Sequence, residues 1–191
     1  MSSAPPEPVF ELASACLDYV RRSLGFDLDF SPETLPVLDH YVATVRELKS
    51  ERPELVRLVG PATGAYFGEV VRVVIPGFWR VPTLNQHDWQ LCCRLAFLWF
   101  NPLGVAYDAI HGTSEHDGPR SILRALPEDR VLLENRLAAM PPLPEEQYFS
   151  FSTRLEVLEA AHETLRARME EQGYGTAELG EEDYLAELRL N

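Results

Sequence analysis

Phe10, Ala13, Leu17, Val20 and Leu24 recur at three- and four-residue steps, which is one face of a helix. The spacing predicts a helix from about Val9 to Leu24, ended by Gly25 at the C′ position. The next stretch, FDLDF (Phe26 to Phe30), reads as a short strand. A second helix follows. Ser31 can cap it with Pro32 at the first position, or it starts later with Thr34 as the cap, because Pro36 removes a backbone bond. Either start leaves Leu35, Leu38, Val42, Val45 and Leu48 as its buried stripe. A short third helix runs from Pro53 to Val59. Gly60-Pro61 should break it, since a residue before proline is pushed out of the helical region. A fourth helix then runs from Pro61 to about Ile75, where Pro76-Gly77 stop it.

The pattern changes after residue 77. Trp89, Leu91, Cys93, Leu95, Phe97 and Trp99 alternate with a more mixed set, the period-2 signature of a strand with one core face. With FWRVPT before it and LNQHD as the turn, this predicts a hairpin near 78–100, joined by FDLDF. Helical signals then return. Asn101 and Pro102 open a helix that Gly112 closes. GTSEHDGP is a polar loop, and PEDRVLLENRLAAM is a helix with acids in its first turn. PPLPEEQ is a linker. Thr153 opens the longest helix through a Thr-x-x-Glu capping box with Glu156. The chain closes on a short acidic amphipathic helix.

The expected fold is α+β, predominantly helical, with a small antiparallel sheet and a long C-terminal helix. Residues 1–8, rich in Pro and Ser, read as a disordered leader. Residues 9–140 form an α+β core, and residues 141–191 a helical C-terminal arm that packs on it.

Charge narrows the function classes. The 191 residues carry 30 acids and 17 bases, a net charge of −13. Residues 111–191 hold 17 of the acids and 8 of the bases. Such a field repels phosphate backbones and anionic lipid, and it favours a protein partner with a basic surface. Nucleic acid and membrane are not expected as partners. No run of about eighteen uncharged apolar residues is present. Three cysteines, two of them adjacent, make no disulfide framework and point to a reducing, cytoplasmic compartment. The first residues show neither a basic n-region nor an apolar h-region, so no secretory signal is expected.

Chemistry-bearing residues concentrate in HGTSEHDG, where His111, Ser114, Glu115, His116 and Asp117 fall within seven positions. His111, His116 and Asp117 are the catalytic candidates, with Glu69 or His87 contributing. Two histidines in one loop fall short of a zinc ligand set, so no metal and no cofactor is expected. Cys92 or Cys93, near His87, is a further nucleophile candidate. Glu69 falls outside the apolar arc of its helix, three residues from Arg72, which predicts a solvated ion pair. Gly64 and Gly68 lie beside that arc and predict close approach by another backbone. His162 sits in a helical seam with Leu155, Leu158, Leu165 and Met169, where a hydrogen bond should satisfy it. That seam is open to packing within the chain or to a homodimer.

The stretch GAYFGEVV…GFW resembles a motif of small uncharacterised bacterial proteins. In these, a Gly-x-Tyr-x-Gly-Glu helix leads into a Trp-bearing strand. The likeness covers about twenty residues and implies no activity.

The reading that these features favour is an acidic binding or adaptor protein, for instance an immunity-type inhibitor of a basic partner. Its binding residues would be Tyr184, Leu185 and Leu188 as apolar anchors, with Glu181, Glu182 and Asp183 around them. A small hydrolase or metal-dependent enzyme built on the 111–117 loop is the alternative, and a structural component of a larger assembly is a third.

Overall fold

A computed structural model describes residues 4–144 and 147–190, with side chains to residue 187. The fold is α+β and mainly helical, with a small four-stranded antiparallel sheet. The first helix, α1 (Glu7–Leu24), starts inside the segment expected to be a disordered leader, with Pro8 in its first turn. Residues 1–3 of that segment lie outside the described residues. Gly25 closes α1 with φ 67°, its N–H bonded to the Arg21 carbonyl.

FDLDF is not a strand. Phe30 takes φ 63°, a left-handed conformation that ends any extended run, and Asp29 Oδ1 accepts from the Ser31 N–H two residues on. A single 3-10 turn at Pro32–Thr34 leads into α2 (Leu35–Leu48), so the later start with Thr34 at the cap position is the one taken.

Gly60-Pro61 does not break the chain. One helix, α3 (Glu54–Val74), runs through it with Pro61 inside. The clash that drives a pre-proline residue out of the helical region is partly with its Cβ, and Gly60 has none. From Val59 to Arg72 every residue of α3 except Glu69 is buried. α3 is the central helix of the molecule.

The predicted single strand 89–100 folds on itself. β1 (Gly77–Arg80), β2 (Gln90–Cys93), β3 (Leu98–Phe100) and the two-residue β4 (Arg124–Ala125) form a meander in the order β1-β2-β3-β4. Leu91 pairs with Phe100 and Cys92 with Trp99. The reversal at 94–97 flips the alternation. Leu91, Cys93, Leu98 and Phe100 face the main core, whereas Phe78, Cys92 and Trp99 form a second apolar cluster on the other face.

Helix α4 (Pro102–His111) packs along α3. α5 (Arg130–Ala138) follows a 3-10 turn. The longest C-terminal helix, α6 (Phe151–Glu171), begins three residues before its expected start. Its N-cap is Ser150, whose Oγ accepts from the Thr153 N–H, and Asp39 of α2 accepts from the N–H groups of Phe151 (2.6 Å) and Ser152 (3.2 Å). No Thr153–Glu156 box forms; Thr153 is the donor. α7 (Glu181–Leu190) lies over the outer face of the sheet, where Leu179 and Tyr184 complete the second cluster. Among the described residues no helix is long and apolar enough to cross a membrane.

Candidate functional site

Asn101 caps α4 by accepting from the N–H groups of Leu103 (2.9 Å) and Gly104 (3.4 Å). At the other end Gly112 takes φ 69°. The last carbonyls of α4 are met by bases at the C-terminal end of α2, one in the helix and one capping it: Arg46 Nε donates to Ala109 (2.9 Å), and Lys49 Nζ to His111 (2.8 Å). Cations at a helix C-terminus complete the orphan carbonyls and oppose the dipole. These contacts fix His111 as the last residue of a rigid helix.

The loop that follows folds back onto α4. His116 Nε2 lies 2.9 Å from Asp108 Oδ1, and the Gly118 N–H donates to His116 Nδ1 at 3.1 Å. With Nδ1 accepting, the ring proton sits on Nε2 and faces Asp108. Asp108 is almost fully buried, and its other oxygen accepts from Ser121 Oγ and from Arg154 of α6 (3.4 Å). Both nitrogens of His116 are therefore occupied, and its side chain is 2 % exposed. It positions the loop and is not a free base or ligand.

His111 is different. Its ring stacks on His116 (5.1 Å between centroids) and near Tyr107 (6.4 Å), yet neither nitrogen has a hydrogen-bond partner among the described residues. Burial first, then His116 and Lys49, hold its imidazole below the usual range. It lines an open cleft of about 960 Å³ together with His87, Lys49, Arg57 and the exposed Asp117. His87 arrives on a 3-10 turn at Gln86–Asp88 that Asn85 caps and Asn101 ties down through the Gln86 carbonyl (2.8 Å).

Glu69 is not in this cleft. Both its oxygens accept from Arg72 (2.8 and 3.0 Å), and Oε1 also accepts from Trp79 Nε1 at 2.6 Å. The i,i+3 pair exists but is not solvated: the side chains are 16 % and 4 % exposed. The surrounding motif has the same character. The Gly68 α-carbon sits against the Trp79 ring, Gly64 against the Leu103 backbone, and Tyr66 Oη bridges Thr34 Oγ1 (2.8 Å) and the Phe30 N–H (3.0 Å). Gly-x-Tyr-x-Gly-Glu with its tryptophan is one packing knot between α3, the sheet and α4.

The cysteines are buried and unpaired, and burial raises the Cys92 thiol to about 12 and Cys93 further. Neither is a nucleophile in this state. His162 is buried, but its Nε2 has no partner among the described residues, contrary to the expected hydrogen bond. Among the described residues no group of three or more His, Cys, Asp or Glu could hold a metal ion.

The acidic arm is rearranged from its expected use. Tyr184, read as an anchor for a partner, is 1 % exposed and bound to its own chain. Its hydroxyl lies 2.7 Å from the Cys93 carbonyl and 2.9 Å from that of Ala96, and it accepts from the Leu98 N–H at 3.2 Å. The Leu179 N–H donates to the Arg94 carbonyl (2.7 Å), so the arm ties off the 94–97 bend. Leu185 is half-buried, and the Leu188 side chain lies outside the described residues. Glu181, Glu182 and Asp183 face solvent. Asp183 returns to cap the Gly180 N–H at 2.7 Å, and Glu181 approaches Arg80 at 3.7 Å. The α6 seam is also consumed within the chain: Leu155, Leu158, His162 and Leu165 are all buried.

Asp108, Ser121 and Arg154 were not singled out from the sequence. The available signal was Asp108 itself, a lone acid in the apolar run PLGVAYDAIH. No protein-family model, no curated protein and no solved structure matches the chain.

Proposed function

We propose that this protein is an acidic binding protein that acts through a fixed, negatively charged face on its C-terminal arm, of the kind that an immunity-type inhibitor presents to a basic partner. The observation that carries the reading is the Tyr184 pin. It holds α7 on the sheet and leaves Glu178, Glu181, Glu182 and Asp183 outward on a preorganised frame. The mode is then electrostatic docking on a rigid surface and not insertion of the helix into a groove. Three unpaired cysteines fit a reducing, cytoplasmic setting.

The test is capture of a partner from the native cell, by wild type and by the double variant Glu178→Lys/Glu182→Lys. Both residues are exposed and neither caps a helix. A basic protein retained at low salt, released at high salt and lost in the variant is the expected result. Retention unaffected by salt and by the variant would exclude this mode, as would recovery of the protein alone at low salt.

A second reading rests on the cleft, which His87 and His111 both line and where neither ring has a hydrogen-bond partner among the described residues. A small hydrolase would use His111 as base, with His116 and Asp108 as its support. Ester hydrolysis that survives His111→Ala and His87→Ala would remove it.

A further inference from the structure

The three tryptophans differ in one respect. Trp79 Nε1 donates to Glu69, and Trp89 Nε1 donates to the Thr83 carbonyl at 2.9 Å. Trp99 Nε1 is buried and has no partner among the described residues. A buried donor left unpaired is costly, and native folds rarely carry one without a reason. Trp99 lines a groove of about 420 Å³ between β4, α5 and the end of α7. The groove wall is apolar, made by Leu123, Leu133 and Leu137, with the exposed Ile122 at its mouth. Among the described residues the charged groups that line it balance: Arg124 and Arg130 against Glu134 and Glu187.

We propose that this groove is a binding site for a small, uncharged, mainly apolar molecule with one carbonyl acceptor, of the amide or ester class, whose oxygen accepts from the Trp99 indole N–H. The volume falls within the range of small-molecule sites, roughly 300–1,000 Å³, and so does the composition, an apolar wall with few directed polar groups. An anion is disfavoured because the described lining has no net positive charge and the chain carries −13. A cation offers the indole N–H nothing to bond. The indole nitrogen is shielded from solvent as it stands, so a side chain at the mouth has to turn. Arg124 is placed to do this, being exposed and directly across the ladder from Trp99. This site is independent of the acidic face proposed above.

The experiment is a titration of the full-length, nitrogen-15-labelled protein, followed at the three indole N–H resonances. Trp99→Phe assigns its own peak; if that variant does not fold, contacts to the Tyr184 ring, 5.6 Å away, assign it instead. The probes are hexanamide, hexanoate and hexylammonium. Hexanamide should move the Trp99 resonance downfield and saturably, at a concentration at least tenfold below either charged probe, while Trp79 and Trp89 stay in place. Leu137→Gln should weaken hexanamide at least fivefold, and Arg124→Ala should leave it equal or tighter. A Trp99 peak that does not move with hexanamide, or that shows a trapped water which hexanamide fails to displace, would overturn the proposal. Equal response to hexanoate or hexylammonium would overturn it as well.

Discussion

A Cβ at Gly64 would stand 2.5 Å from the Leu103 Cα, so alanine there must push α4 off α3. The push lands on backbone, which cannot rotate away as a side chain can. We expect Gly64→Ala to cost about 1–3 kcal/mol through overpacking, even though alanine gains roughly 1 kcal/mol in helix propensity. A urea midpoint equal to wild type would show that the α3–α4 contact yields. The glycine spacing made this contact legible in the sequence. The state of His162 was not, because the 3-4-3-4 spacing shows only that the ring is buried, not whether a partner reaches it. Burial first, then Arg166, hold its imidazole below the usual range. The unfolded value is near 6.5, so on acidification the unfolded chain takes up the proton first. Stability is then full above about pH 6.5 and falls as pH drops through the folded value. Thermal melts between pH 7.5 and 5 should show this slope. His162→Gln should flatten part of it; His111, shifted in the same direction, adds a further part.

At the scale of elements, periodicity gave the helices because each buries one continuous face. It failed where a contact distant in sequence overrode the local rule. The 89–100 run alternates through twelve residues with no glycine or proline to mark a turn. The bend at 94–97 is held instead by Tyr184, 86–91 residues away, and by the Leu179 N–H. The same distance hid how α7 docks: the sequence predicts an arm that packs on the core, but with Tyr184 as an anchor for a partner and not as the tie of the bend. The candidate cleft was half legible: the histidine-rich loop was visible, while Asp108 and Ser121, which hold it, were recognisable only once folded. Tyr184→Phe keeps the ring and removes the hydroxyl. It takes the hydroxyl donor away from the Cys93 carbonyl and leaves the Leu98 N–H with the Ala96 carbonyl (2.8 Å) as its acceptor, and should cost about 1 kcal/mol. Hydrogen exchange should speed up at residues 93–98 and across α7, with α3 unchanged. Unaltered protection at the bend would mean that the hydroxyl is dispensable.

The whole molecule carries its excess charge unevenly, and on α6 the effect is already local. Burial first, then Glu163 and Glu156, raise the Glu159 carboxyl. Like charges on one compact body oppose folding and are screened over about 10 Å at 0.1 M salt. The melting temperature should therefore rise when sodium chloride goes from about 20 to 200 mM. A fall would mean that ion pairs such as Arg168–Asp129, at 2.6 Å, outweigh the repulsion. The Tyr184 tie also sets an order of events during synthesis. Leu98 leaves the ribosome 86 residues ahead of its hydroxyl partner. At 5–20 residues per second that gap lasts roughly 4–17 s. For that interval Phe78, Cys92 and Trp99 have no cover, and the nascent chain offers a bare sheet face to chaperones and to neighbouring chains.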